Sequence, residues 1–499
     1  MAKIPTNVIT EKINGLNIIS RGKVRDTYEL PGCINYLHPY LMPYATDRIS
    51  IFDFVLNANV PQKGEILNAM NIFWFIDFLS EWENDILAFG ACINTYLPEN
   101  LRDNIELHKR ATIIKKLEML EFEAIVRLHL TGSGYQAYKK DRVVCGHTLP
   151  SNLIDGEKLP FPIFTPTTKA KEAHDEHITA DSVAEKYGVK PERLSMQIAQ
   201  KAYEYALSRG IILADTKFEI GHDSSNILTF GDEKLTPDSS RFWDFEEWKK
   251  AQAEGKLPKA FDKQFVRDWG KSMGIDKLDP ANEEDVVKVH SMRVPEEIIK
   301  YTTKLYRYIF WKLTGQKLEK FQINSMGIKT ELQPVHIEVI IGSETDKGQI
   351  MEGLQFLDMQ SNVTYNAHVL SCHRNPGELW GYAHNFAKQI KNNNTLVIAG
   401  AGAAAHLPGV IKSQLEIARH SNISVIGLAF KNDNFDHALA ARLSTECLPG
   451  QPVELDENGK AFFGPEGALK ACKAAVFNEF LPKRFSKKPP QYFWRSKNN

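Results

Sequence analysis

The chain has 499 residues, a formal net charge of −1, and a composition 43% apolar and 25% charged. That length allows two or more domains, the near-zero charge gives no global field for nucleic acid or membrane, and the composition is that of a globular chain, neither disordered nor fibrous. Six cysteines, at 33, 92, 145, 372, 447 and 472, show no C-x-x-C spacing, which points to reduced thiols and a cytoplasmic location instead of disulfides or a zinc site.

The first ten residues, MAKIPTNVIT, lack the apolar core of a secretory signal. Arg21-Gly22-Lys23-Val24-Arg25-Asp26 then sets a glycine between cations, beside the strand-like Thr27-Tyr28-Glu29-Leu30. Such a turn can cover nucleotide phosphates; a solvated basic hairpin has the same pattern. No G-x-x-x-x-G-K-[ST] occurs, which argues against a P-loop ATPase. Ile72–Leu79 is apolar but too short to span a bilayer, and its Phe73-Trp74-Phe75 run reads as core. His174-Asp175-Glu176-His177 has metal-like side chains but lacks two further ligands, and reads as a solvated loop. Asp215-Thr216-Lys217-Phe218-Glu219 alternates as a strand does, so Asp215, Lys217 and Glu219 share one face. Gly231-Asp232-Glu233 follows on a strand that could pair with it. Carboxylates on neighbouring strands can hold Mg²⁺ against nucleotide phosphates, since Mg²⁺ prefers one or two carboxylates plus phosphate oxygens.

Residues 281–329 read as mostly helical, with Val286, Val287, Val289, then Ile298, Ile299, Leu305 and Ile309 among charges. The segment Gly327–Pro334 breaks that pattern. Beyond it strand and helix alternate: strand Val335–Ile341, helix Lys347–Met359, strand Val363–Leu370, helix Gly377–Ile390, strand Thr395–Ala399, helix Leu407–Ala418 and strand Ser424–Phe430. This alternation predicts a parallel sheet covered on both faces, with ligands beyond the carboxyl ends of its strands. Val397–Val410, VIAGAGAAAHLPGV, lies at one such end. Its Gly400, Gly402 and Ala405 satisfy the dinucleotide fingerprint G-x-G-x-x-G/A. The acidic residue expected some 20 positions on is missing, and two strands precede this one, so a dinucleotide fold is disfavoured. Small residues there would still let backbone approach a ligand closely. His373 on a strand-to-helix turn could equally be a simple helix-terminus histidine, and His384 reads as surface or packing. Residues 482–499 hold six Lys/Arg and no acid; a solvated tail is the plain reading, docking on a neighbouring subunit the sharper one.

Two resemblances sharpen this. The segments Gly22–Asp26, Ala45–Ser50, Arg127 with Thr131–Ser133, Thr165–Lys169, Asp215–Gly221, Leu235–Trp243 and Asp262–Trp269 occur in the order and spacing of SAICAR synthetases (phosphoribosylaminoimidazole-succinocarboxamide synthases). Gly342-Ser343-Glu344-Thr345-Asp346, Ser371-Cys372-His373-Arg374-Asn375-Pro376 and Gly400–Gly409 resemble the three motifs of N5-carboxyaminoimidazole ribonucleotide (N5-CAIR) mutase. The resemblance implies an α+β, ATP-grasp-related domain over 1–330, a flavodoxin-like three-layer α/β domain with a parallel sheet over 331–485, and a basic tail over 486–499.

It also implies a chemistry. ATP would phosphorylate the carboxylate of 4-carboxyaminoimidazole ribonucleotide (CAIR), and the amine of L-aspartate would displace the phosphate to give SAICAR. Lys23 and Lys217 would meet ATP phosphates, with Lys217 and Asp47 catalytic and Asp47 near the imidazole. Glu219 and Asp232 would bind the nucleotide and Mg²⁺. Arg127, Ser133 and Arg241 would hold the ribonucleotide, a task suited to the arginine fork. His129 stands where compact bacterial forms carry a second arginine. In the second domain His373 would shuttle a proton while N5-CAIR becomes CAIR, since imidazole serves as acid and base near neutral pH. Ser343, Asp346, Ser371 and Arg374 would bind the ribose phosphate end, and Gly402, His406 and Leu407 would line the ring and CO₂ pocket. Arg374-Asn375-Pro376 and His406-Leu407-Pro408 favour the mutase over an aminoimidazole ribonucleotide (AIR) carboxylase using free CO₂. Phe430–Ala438 departs from the mutase pattern and keeps a non-catalytic assembly module open. A homo-oligomer, an octamer through the second domain, is implied; no nucleic-acid or membrane partner is expected.

Overall fold

The computed structural model describes residues 3–477 other than 11, 31–39, 170–175, 259–260, 262, 330–333, 361, 390–394, 403–405, 419, 421–422, 449–451 and 457–458. The basic tail at 486–499, the alanine run at 403–405, and the His174-Asp175 half of the histidine-rich segment lie outside the described residues. The chain divides into two compact units, Met1–Thr330 and Glu331–Asn499.

The first unit is α+β and built on two larger sheets. One has the strand order Asn17–Arg21, Arg25–Glu29, Tyr40–Ala45, Thr112–Lys115, Ile86–Phe89, all antiparallel. The other runs Lys158–Phe164, Phe122–His129, Ile211–His222, Leu228–Gly231, with three further strands attached. Its long strand Ile211–His222 explains itself from sequence. Ile211, Ile212, Leu213 and Ala214 are buried on both faces, covered by helix Lys190–Ser208, which turns Ile198, Ala199, Ala202 and Ala206 inward at helical spacing. Further along, Phe218 and Ile220 stay buried while Lys217 and Glu219 turn to the cleft side, a period of two. The Phe73-Trp74-Phe75 run is core, as the sequence indicates. It continues helix Lys63–Ile72 as a wider π-helical turn, Phe73–Phe78.

The second unit is a five-stranded parallel sheet in the order Val363–Val369, Val335–Ile341, Thr395–Ala401, Ser424–Ala429, Phe462–Phe463. This 2-1-3-4-5 order is that of flavodoxin-like folds. Successive side chains of the central strands feed two separate cores. Ile337, Val339, Ile398 and Leu428 pack against Ile350, Leu357 and Cys472. Ile340, Val397 and Ala399 pack against Leu379, Leu407, Ile411 and Leu415. Helices Lys347–Asp358 and Gly464–Phe477 meet so closely that a Cβ at Gly353 would stand 2.6 Å from Cys472 Sγ. Burial pushes that thiol up to about 12, and the five described cysteines are all free. Beyond Phe430 the structure adds helices Phe435–Glu446 and Gly464–Phe477, which the sequence reading leaves unassigned. No described helix is long and apolar enough to cross a membrane.

Candidate functional site

A cleft of about 390 Å³ opens between the two sheets of the first unit, with Arg25, Thr27 and Ile114 on one wall and Met119, Glu219 and Asp232 on the other. The glycine turn sits at its edge. Gly22 N–H donates to the Arg25 carbonyl at 2.8 Å, closing a hairpin that exposes Lys23. Glu219 and Gly231 are register partners, so Asp232 emerges beside Glu219 at the end of the paired strand. Each of these charges is already matched. Lys23 pairs with Asp53, Arg25 with Asp232 and, at 2.9 Å, with Glu233, Lys169 with Glu219, and Lys217 with Glu123 at 2.6 Å.

The two carboxylates titrate apart. Burial, then the neighbouring Asp232 charge, push Glu219 up. Burial also works against the Asp232 carboxylate, but Arg25, Lys217 and Lys234 hold it below the usual range. Among the described residues no cluster of three or more His, Cys, Asp or Glu could cage a metal. Two carboxylates at a cleft edge nevertheless fit Mg²⁺, which completes its shell with phosphate oxygens and water.

Arg127, Ser133 and Arg241 come together around Asp215. The buried Arg127 guanidinium donates to Asp215 at 3.1 Å, Thr165 Oγ1 at 3.0 Å and Ser133 Oγ at 2.9 Å. Arg241 reaches the same Asp215 oxygen at 3.2 Å. The glycines of Thr131–Gly134 make room for both arginines. A Cβ at Gly132, whose φ is +60°, would lie 2.8 Å from Arg241 Nη1, and one at Gly134 would lie 2.9 Å from Arg127 Nε.

Asp47, expected near the imidazole, is held by partners within the protein. Its carboxylate accepts from Arg110 at 2.7 and 3.1 Å and from Gly64 N–H at 2.9 Å, anchoring the start of helix Lys63–Ile72. His129 is a core residue. Its Nδ1 bonds the Gly156 carbonyl at 3.0 Å, Trp243 and Trp248 pack edge-on against it, and burial pulls it down to about 4. Sequence reading gave no role to Arg25, Asp85, Lys234, Lys63 or Asp238. Lys63, 0% exposed, pairs with Asp238 at 2.7 Å, and Tyr306 donates to the same carboxylate at 2.5 Å. Lys63 opens a helix in which every residue is buried, a burial that nothing in its local sequence announces.

In the second unit Ser343, Asp346, Ser371, Arg374, Gly402 and His406 gather at the carboxyl ends of three neighbouring strands. Ser371 Oγ accepts the backbone N–H groups of His373 and Arg374 at 3.3 and 3.2 Å, and Arg374 Nη2 donates to the Gly342 carbonyl at 2.7 Å. Ser343 caps the turn Glu344–Asp346. The exposed rings of His373 and His406 lie 5.6 Å apart at 78°. Asp346 is 7% exposed, its Oδ2 has no hydrogen-bond partner among the described residues, and burial pushes it up. Gly402 leaves the Asp346 side open: a Cβ there would sit 3.4 Å from Asp346 Oδ1. The other two glycines serve packing instead of ligand approach, Gly400 against Leu428 and Phe430, Gly409 against Leu448. Leu407 is 1% exposed and its side chain belongs to the core. The segment at 430–434 is pinned by Gln349, which donates to the Lys431 carbonyl at 3.0 Å and accepts from its N–H at 2.8 Å. Its Asn434 then caps helix Phe435–Glu446.

Residues 18–281 match the family model described as SAICAR synthetase, and residues 336–455 the one described as AIR carboxylase. The phosphoribosylaminoimidazole-succinocarboxamide synthase of Leptothrix cholodnii is 38% identical over 313 residues, 62% of this chain and 99% of that protein. Its counterpart in Pasteurella multocida is 40% identical over 300 residues, 58% and 96% respectively. The structure of SAICAR synthase from Saccharomyces cerevisiae complexed with SAICAR covers 62% of this chain and 99% of its own, at 33% identity and a TM-score of 0.52.

Proposed function

The chain belongs to the SAICAR synthetase family of purine biosynthesis, with an AIR carboxylase-type domain behind it, and from that premise we propose that it carries out two consecutive steps, N5-CAIR to CAIR in the second unit and CAIR to SAICAR in the first. The observation that carries the synthetase reading is the cleft with its matched charges. An unactivated carboxylate is a poor acyl donor; transfer of the γ-phosphoryl group of ATP, with release of ADP, would give an acyl phosphate from which the aspartate amine displaces phosphate. Lys23 and Lys217 are in place to trade Asp53 and Glu123 for phosphate oxygens. Glu219 and Asp232 would turn from Lys169 and Arg25 to Mg²⁺. Arg127, Ser133 and Arg241 hold the ribonucleotide, with Asp215 fixing both guanidiniums. Asp47, through Arg110, positions the wall of the site without meeting the ring. Catalysis on this reading is positioning and charge stabilisation.

In the second unit His373 is the proton carrier, with His406 as its neighbour and Asp346 and Gly402 opening toward the ring. Ser343, Ser371 and Arg374 take the phosphate end. AIR and CO₂ are the alternative substrates. A second reading, a non-catalytic assembly module, draws on the exposure of both histidine rings and on the pinned segment after Phe430. Helix Phe435–Glu446 leaves Phe435, Leu439 and Leu443 exposed one turn apart. Such a stripe suits a subunit contact, consistent with an octamer built through this unit. Supplying purified protein with N5-CAIR, ATP, Mg²⁺ and aspartate should yield SAICAR. Synthesis from CAIR alone would leave the assembly reading, and synthesis from AIR plus bicarbonate would establish the carboxylase.

A further inference from the structure

Asp232 adopts φ +55°, a left-handed conformation that a Cβ disfavours. Something must hold it there. Asp85 Oδ2 accepts the Asp232 backbone N–H at 3.2 Å, while its Oδ1 accepts from Lys234 Nζ at 2.5 Å. Both side chains are withdrawn from water, Lys234 to 0% and Asp85 to 3% exposure, and Lys234 Nζ stands 5.1 Å from the centre of the Phe75 ring. The backbone of the same residue joins the two sheets. Asp85 N–H donates to the Phe230 carbonyl at 3.0 Å, and the Asp85 carbonyl accepts from Lys115 N–H at 2.8 Å. One residue thus ties the strand that runs into Asp232 to the opposite wall of the cleft.

A buried ion pair is weak support for a fold, because an apolar pair of like volume often serves as well. Its position here points to another use. We propose that Asp85 and Lys234 are positioning residues that fix the aim of Asp232 into the cleft and so set the affinity of the synthetase unit for Mg²⁺–nucleotide. Asp85 borders the cleft, but each of its oxygens is engaged, by Asp232 N–H and by Lys234. It acts on the nucleotide through Asp232. The inference rests on the proposed role of Asp232 toward Mg²⁺–ATP.

The test is the full chain carrying Asp85→Leu with Lys234→Met, which removes both charges together and leaves no buried ion unpaired. Binding of Mg²⁺ with the non-hydrolysable analogue AMP-PNP is read by calorimetry, beside KM values for ATP, CAIR and aspartate. A merely structural pair predicts a folded protein with unchanged nucleotide binding, and that result overturns the inference. The expected result is a melting temperature close to the parent's and Mg²⁺–AMP-PNP binding weakened roughly tenfold or more, the usual consequence of losing the support behind a metal ligand. KM for ATP should rise in step, while those for CAIR and aspartate hold. Should the double variant fail to fold, Asp85→Asn carries the same test, since its single oxygen cannot serve both donors as before; unchanged binding there overturns the inference equally. Asp232→Asn separates the two levels. If it leaves nucleotide binding untouched, the Mg²⁺ reading itself fails. If it weakens binding and the Asp85 variants do not, only the positioning role fails.

Discussion

Arg127 and Asp215 are register partners on adjoining antiparallel strands, and their side chains close an ion pair of 3.1 Å. Asp215 also takes Arg241, so one carboxylate orients two guanidiniums toward the same space.

Arg127→Lys keeps the charge but cannot bridge Asp215, Thr165 and Ser133 together. KM for CAIR should rise roughly 10–100-fold, equivalent to one or two charge-assisted hydrogen bonds, with KM for ATP nearly unchanged. Steady-state kinetics with each substrate varied in turn will show it. An equal rise for both substrates would mean that the site had collapsed instead.

Gly132 and Gly188 both have positive φ, +60° and +76°, but only Gly132 has a neighbour, Arg241, within 4 Å of where a Cβ would go. Gly188, at φ +76° and ψ 175°, lies in a region all but confined to glycine, so Gly188→Ala should cost about 1–3 kcal/mol of stability from backbone strain alone and leave turnover intact. Gly132→Ala should add displacement of Arg241 and lose CAIR binding. Comparable activity in the two variants would contradict this account.

His129 titrates near 4 in the folded chain against about 6.5 unfolded. Between those values the unfolded chain binds more protons. Stability from the neutral ring is therefore complete above pH 6.5 and falls as pH drops toward 4, by about 2 kcal/mol at pH 5. Urea denaturation of the parent and of His129→Gln at pH 7.5 and pH 5 should show the stability gap narrowing by about that amount. A gap that stays constant would mean that His129 is not buried neutral.

His373→Asn keeps some hydrogen bonding and loses the proton. Turnover from N5-CAIR should fall roughly 10²–10⁴-fold, while ATP-dependent use of added CAIR stays as it was. Coupled assays with either ribonucleotide will separate the steps. An unaffected N5-CAIR rate would move the proton carrier elsewhere, with His406 the next candidate.

Much of this was legible where local pattern and site coincide. Period-two alternation put Asp215, Lys217 and Glu219 on one face, because a strand's pleat fixes that whatever surrounds it. Strand-helix alternation after Pro334 likewise carried the parallel sheet. What escaped depended on partners far away in sequence. Lys234 and Asp85 are 149 residues apart, Lys63 and Asp238 175, and neither charge alone announces that it is buried and paired. Glycines misled in the other direction. Gly400 and Gly409 look ready for a ligand, but the space that their missing Cβ leaves is filled by Leu428 and Leu448. Asp47 sits in a motif with the site and spends its oxygens on Arg110.

The matched charges around the synthetase cleft make ligand entry an exchange reaction. Lys23, Arg25, Lys169 and Lys217 each hold a carboxylate, so on the proposed reading a nucleotide would displace resident anions instead of meeting bare cations. Affinity would then follow the difference between two sets of ion pairs. Bulk salt, which screens an unpaired charge and its ligand but weakens both sides of an exchange, should act on this site less than the number of lysines and arginines would suggest.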